Sequence, residues 1–172
     1  MKSFPSLYFT NLFLIGGTGL LTTYLALYLG QHNVSTFWIG LLTSFYYLGL
    51  LLGSKLGYHL IKSVGHIRTF VASTAAVTAC VAAHALSDNI YLWLVLRLIV
   101  GLSMMCNYMV LESWLNEQAA PESRGRVFSI YMIMSSLGMV LGQLALSQFP
   151  ELGYEPLFLV CMALSLGIIP IS

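Results

Sequence analysis

Arg97 is the one charge well inside an apolar stretch of this chain, about seven residues or roughly 10 Å from the stretch's outer end. A guanidinium at such depth in a bilayer is costly by at least a few kcal/mol and normally faces a bundle interior or a watery cavity. At 100° per residue Arg97, Gly101, Met104, Tyr108 and Glu112 share one helix face, which is expected to look inward. The plainer alternative is that Arg97 snorkels to the headgroups. Asn11, Thr18 and Thr22 make a second polar stripe beside Gly16, Gly17 and Gly19, serving either a ligand or interhelical hydrogen bonds. Ser129, Ser136 and Gln143 recur on a third face, and Gln143 lies at a depth similar to Arg97, which predicts a hydrogen bond between the two.

Other chemistries find little footing. Gly16-Gly17-Thr18-Gly19 follows no strand and lacks the GK[ST] ending of a phosphate-cradling loop. Gly101-Leu102-Ser103 lacks the second glycine of GxSxG, and no histidine is placed to serve Ser103 as base. His32, His59, His66 and His84 fall near predicted helix ends or in links and are expected at the interface without a catalytic role. Cys80, Cys106 and Cys161 lie in apolar stretches without metal-ligand spacing and read as small hydrophobes. No enzyme, metal or cofactor is expected.

The elements that must position these groups follow from composition. Of 172 residues 58% are apolar and 8% charged, whereas a soluble domain carries about 25% charged residues. Such a chain cannot cover a water-facing surface, and a net charge of +1 offers no stripe for nucleic acid. A bilayer crossing takes about 20 apolar residues. The uncharged stretches predict six helices, over 7–29, 37–60, 68–87, 90–114, 125–148 and 156–172, forming a single transmembrane bundle over 1–172 whose last helix is truncated. The first is too long, and lacks the small-x-small ending, for a cleaved signal peptide.

Lys2, Lys55, Lys62, Arg68, Arg124 and Arg126 fall at the N-terminus and in the links after helices two and four, while the other three links carry no Lys or Arg. Cytoplasmic loops hold that excess, so the N-terminus is expected inside. Leu48-Gly49-Leu50-Leu51-Leu52-Gly53 in helix two and Leu137-Gly138-Met139-Val140-Leu141-Gly142 in helix five share an LGxxLG pattern three helices apart. Because three is odd, this spacing suggests an inverted repeat of two three-helix units. Glycines four apart also let helices approach closely, which makes Gly49, Gly53, Gly138 and Gly142 packing positions.

Gly57-Tyr58-His59-Leu60-Ile61-Lys62-Ser63-Val64-Gly65-His66-Ile67-Arg68 is similar to the GxxxDRxGRR motif after helix two of major facilitator superfamily (MFS) transporters. The family's acid is replaced by Ile61 or Lys62, and the spacing to Gly65 is one residue longer. Arg97-Leu98-Ile99-Val100-Gly101 resembles the family's RxxxG element, and Glu112-Ser113-Trp114-Leu115-Asn116-Glu117 with Arg124-Gly125-Arg126 resembles its passage from helix four to helix five in a bacterial subgroup. The resemblance covers nearly the whole chain and implies the N-terminal six-helix half of a secondary transporter. It implies a transport cavity at Arg97, with Asn11, Thr18, Thr22, Gly101, Tyr108 and Gln143 as the other candidates, and an inner gate at Lys62, Gly65, Arg68, Glu112, Arg124 and Arg126, where Glu112 pairs with Lys62, Arg68 or Arg124.

The expected function is alternating-access transport of a small solute, with protons as the candidate coupling ion, in a bacterial inner membrane. A lone half exposes its cavity face, so a missing C-terminal half or a second copy is the expected partner besides the bilayer. A non-transporting scaffold or remnant, and a half-size subunit of a dimeric transporter, are the alternatives. Tyr8, Tyr24, Tyr28, Trp38, Tyr46 and Tyr47 are expected in interfacial belts.

Overall fold

Hydrocarbon offers no partner for backbone N–H and C=O groups, so apolar stretches of this length satisfy themselves as helices. The computed structural model describes residues 4–169 and contains six: α1 (Phe4–Gln31), α2 (Thr36–Val64), α3 (His66–His84), α4 (Ile90–Gln118), α5 (Arg124–Leu146) and α6 (Glu155–Ile168). The first five are long and apolar enough to cross a membrane; α6 is apolar but shorter. The expected sixth span reaches beyond Ile168, and its residues 170–172, like Lys2, lie outside the described residues. Two helices run further than hydropathy indicates. α2 continues to Val64 and carries Lys62 on its last turn, and α4 continues to Gln118, since polar residues at a membrane surface keep helical hydrogen bonds as readily as apolar ones. Gly65 ends α2 with φ 85°, a left-handed value that favours glycine, and its N–H bonds Ile61 O.

Two seams hold the bundle, α2 on α4 and α1 on α5, with α3 and α6 packed outside them. Each seam is set by the predicted glycines. A Cβ added at Gly49 or Gly53 would stand under 3.0 Å from the α4 backbone at Leu98 O or Leu102 O, and one at Gly138 or Gly142 would do the same to α1 at Leu12 O or Gly16 O. Gly138 follows Gly49 by 89 residues, as Gly142 follows Gly53; Leu98 follows Leu12 by 86, as Leu102 follows Gly16. The two seams therefore match position for position, as units α1–α3 and α4–α6 of an inverted repeat require. Gly101 belongs to this frame as well. It meets the α2 backbone at Tyr46 O, in the seam and away from any open space, because it lies at the centre of the α4 face that α2 covers.

Candidate functional site: a polar cavity around Arg97

Arg97 is carried inward by the eighth residue position of α4 and is 2% exposed. Its Nη2 donates to Thr22 Oγ1 of α1 at 3.3 Å, and its guanidinium lies 4.6 Å from the centre of the Tyr46 ring of α2. Three helices thus converge on one cation. Nε and Nη1 are buried without any acceptor. Beside it opens a cavity of about 430 Å³ lined by Thr18, Thr22, Tyr46, Tyr108, Gln143 and Arg97 among others, which brings together groups from α1, α2, α4 and α5. Tyr108 lies within hydrogen-bonding reach of Tyr46 and of Thr18, so hydroxyls continue the polar surface along α4. A groove of about 200 Å³ between α1, α5 and α6 is lined by Gly, Ala, Leu and Phe alone and has no comparable chemistry.

Five of the seven cavity candidates, Arg97, Thr18, Thr22, Tyr108 and Gln143, therefore share one space. Gly101 and Asn11 do not. Asn11 turns toward α5, where its Nδ2 donates to Tyr131 O at 3.3 Å and Ser135 Oγ at 2.7 Å. The bond expected between Gln143 and Arg97 is absent: Gln143 lines the same cavity, but the acceptor that Arg97 meets is Thr22 Oγ1. Thr18 and Thr22 also donate to carbonyls one turn back in α1, at Leu14 and Thr18.

The basic end differs more from expectation. Among the described residues the ion pair within 4.0 Å is His66 Nε2 with Glu117 at 3.7 Å; Glu112 pairs with none of Lys62, Arg68 and Arg124. Lys62 lies about 180° around α2 from the stripe of Gly49, Gly53 and Gly57 that seats it on α4, so it points away. Arg68 and Arg124 are exposed at the first turns of α3 and α5, and Arg126 lies near Tyr8. Glu112 instead stands beside the Tyr131 hydroxyl of α5. His66 also meets Ser113 Oγ at 3.0 Å and stacks on Trp114, so the α2–α3 turn is pinned to the end of α4.

Aromatic and histidine positions are corrected too. Tyr24 and Tyr28 are buried against neighbouring helices, with the Tyr28 hydroxyl at the outer end of α1, and Tyr46 belongs to the Arg97 site. His84 is buried, with Nδ1 on Cys80 O at 2.7 Å and its ring against Trp93. At the end opposite the basic links, Asp88 accepts from the hydroxyls of Tyr28 at 3.2 Å and Tyr154 at 3.0 Å, joining α1 to the α3–α4 and α5–α6 links. Tyr46 stands three residues before Gly49, on the α2 face turned to α4; that spacing was the available signal for it.

Comparison with known proteins agrees with this architecture. The family model of the Major Facilitator Superfamily matches residues 7–171. The chain is 32% identical over 131 residues to the uncharacterized MFS-type transporter Ent638_1421 of Enterobacter sp. (strain 638), covering 76% of this chain and 34% of that protein. It is 32% identical over 129 residues to the uncharacterized MFS-type transporter YcaD of Shigella flexneri, covering 75% and 34%, and 31% identical to YcaD of Escherichia coli (strain UTI89 / UPEC) over the same shares. The chain matches about a third of the length of these relatives. A glycine-seamed bundle of apolar helices, matched almost end to end by one family model, makes this multi-pass membrane protein a member of the major facilitator superfamily.

Proposed function

We propose that the chain forms a six-helix half of a secondary transporter that moves a small solute by alternating access and has no enzymatic activity. The observation that carries this reading is the cavity at Arg97: a polar space of about 430 Å³, bounded by α1, α2, α4 and α5, within a bundle of largely apolar helices. The family membership and the names of the MFS-type relatives favour the same reading. α3 and α6 take no part in lining the cavity, and a second bundle facing the α1, α2, α4 and α5 side, whether the remainder of a longer polypeptide or another copy, completes a pathway near the midplane. The Lys/Arg bias of the links favours a cytoplasmic N-terminus, and the bacterial MFS-type relatives favour a bacterial inner membrane. Glu112, beside Tyr131, is the carboxylate this face offers to a coupling proton, and the basic links with Gly65, Lys62, Arg68, Arg124 and Arg126 form the surface that closes against the second bundle.

Alternating access is tested by single cysteines at Gln143 and Ser129, near opposite ends of one α5 face, labelled with a membrane-impermeant maleimide from either side of oriented vesicles. The native Cys80 and Cys106 are buried and Cys161 is half-buried, so all three are replaced by alanine beforehand. Anticorrelated labelling of the two positions is expected. One fixed pattern, unchanged by added solutes, identifies a non-transporting scaffold.

A further inference from the structure

We infer that the Arg97 site binds an anionic group, a carboxylate, sulfonate or phosphate carried on a small organic body, and that this anion is the feature of the solute the bundle recognises. The inference rests on the cavity being the solute site.

Four observations carry it. Arg97 is 2% exposed, so its charge has left water. Nε and Nη1 have no acceptor, which leaves three of the five N–H donors of the guanidinium unused. A buried cation in that condition is strongly destabilising unless a partner arrives. The chain itself supplies none. Its six acids are Asp88, Glu112, Glu117, Glu122, Glu151 and Glu155. Asp88 is held by Tyr28 and Tyr154, Glu112 lies some 15 residues or about 22 Å along α4, and the others stand at the ends of helices or in links. No Asp or Glu lines the cavity. Of the groups that line it near Arg97, the amide of Gln143 can donate to an oxyanion directly, and the hydroxyls of Thr18, Thr22 and Thr43, whose protons now lie on carbonyls one turn back, can do so only by rotating away from them.

The Tyr46 ring holds the guanidinium from one side, and its Nε and Nη1 edges lie buried without an acceptor. A planar cation with free N–H edges matches a carboxylate or phosphate through paired charge-assisted hydrogen bonds. The volume of about 430 Å³ falls in the range of small-molecule pockets. An anionic lipid headgroup offers the same chemistry as a free solute, so the test separates the two sources.

The experiment uses the whole protein in nanodiscs of pure phosphatidylcholine and reads the thermal unfolding midpoint, which a ligand of the folded state raises. The probes are benzoate, benzenesulfonate and phenyl phosphate, with neutral benzamide and cationic benzylamine as matched controls. At least one anion is expected to raise the midpoint saturably while both controls leave it unchanged. Arg97→Met abolishes the response, and Arg97→Lys weakens apparent affinity by about tenfold because one ammonium cannot reproduce the fork. Thr22→Asp sets a carboxylate where the hydroxyl now meets Nη2; it raises the midpoint without ligand and removes the anion response, and it carries the test should Arg97→Met fail to fold.

Replacing part of the lipid with phosphatidylglycerol distinguishes the source. If the lipid is the occupant, it raises the wild-type midpoint and blocks the free anions; if a solute is, the anion response persists. Equal responses to anion, benzamide and benzylamine, no response to any probe or lipid, or an anion response that survives Thr22→Asp overturns the inference. Anion binding with fixed maleimide labelling defeats the transport reading alone, while alternating labelling without anion selectivity defeats this inference and leaves transport standing.

Discussion

Asn11 and Arg97 stand at matched places in the two repeats, each the eighth residue of its unit's first helix and 86 residues apart, the interval that also relates Leu12 to Leu98. Their contacts match as well. Arg97 lies over Tyr46, Asn11 donates to Ser135, and Ser135 follows Tyr46 by the 89 residues that separate Gly49 from Gly138. One frame thus presents a polar side chain to a second helix at two points near opposite ends of the bundle. At one, a neutral amide closes on α5; at the other, a cation is left with donors to spare beside an open cavity. Duplicated packing supplies both positions, and the side chain placed there decides whether the point closes on a neighbouring helix or keeps unpaired donors.

The largest expected effect falls on the frame that makes the two points equivalent. Gly53→Leu and Gly142→Leu each force a branched side chain into a facing helix backbone, at Leu102 O and Gly16 O. Neither backbone can yield without opening its seam, so each substitution is expected to cost more than about 3 kcal/mol and to abolish the monodisperse folded peak in size-exclusion chromatography. If one seam tolerates leucine and the other does not, the two units are not mechanically equivalent.

Next come the matched side chains themselves. Asn11→Leu removes two hydrogen bonds to α5 and is expected to lower stability by about 1 to 3 kcal/mol, read as a fall in thermal midpoint. Arg97→Met is expected to leave the unliganded midpoint unchanged or raise it, because it deletes a buried cation without a counter-charge while keeping apolar length against Tyr46. Opposite signs at equivalent positions are the signature of a fastening at one and a binding group at the other. Equal losses would make Arg97 another structural tie.

Much of this arrangement could be read without coordinates. Hydropathy located the helices, since the bilayer sets their length, and LGxxLG marked the seam of each unit because only a missing side chain permits backbone contact. Burial of Arg97 followed from the cost of a charge at depth. What escaped were azimuths and long-range partners. α1 and α4 are apolar on nearly every side, so periodicity does not distinguish the face that meets another helix from one that meets lipid, and Tyr24, Tyr28 and Tyr46 have the same composition signal in either place. Glu112 finds Tyr131 instead of a base because the bundle, through its seams, turns Lys62 outward.

A smaller effect tests whether the end near Arg97 is fastened by its own device. Asp88 gathers Tyr28 and Tyr154, doing there through two hydroxyls what Asn11 does directly at the other end. Tyr154→Phe removes an exposed hydroxyl shared between both Asp88 oxygens and is expected to cost about 0.5 kcal/mol; Tyr28→Phe removes the part-buried bond, keeps the ring near His32 and Trp93, and is expected to cost about 0.5 to 1.5 kcal/mol. If the double variant costs no more than either single one, the two hydroxyls act as a unit through Asp88, and a double-mutant cycle on thermal midpoints reads that coupling.

The smallest expected effect lies where neither repeat makes a contact. Gly40 sits within the first two turns of α2, with no atom within 4 Å of an added Cβ, unlike the four seam glycines. There the missing side chain serves no approach and only enlarges the entropy lost when the helix forms. Gly40→Ala is therefore expected to stabilise by about 0.5 to 1 kcal/mol, a small rise in thermal midpoint. A loss instead would mean that a surface outside this bundle presses against α2 at that point, and that the seams described within the chain are not its only close helix contacts.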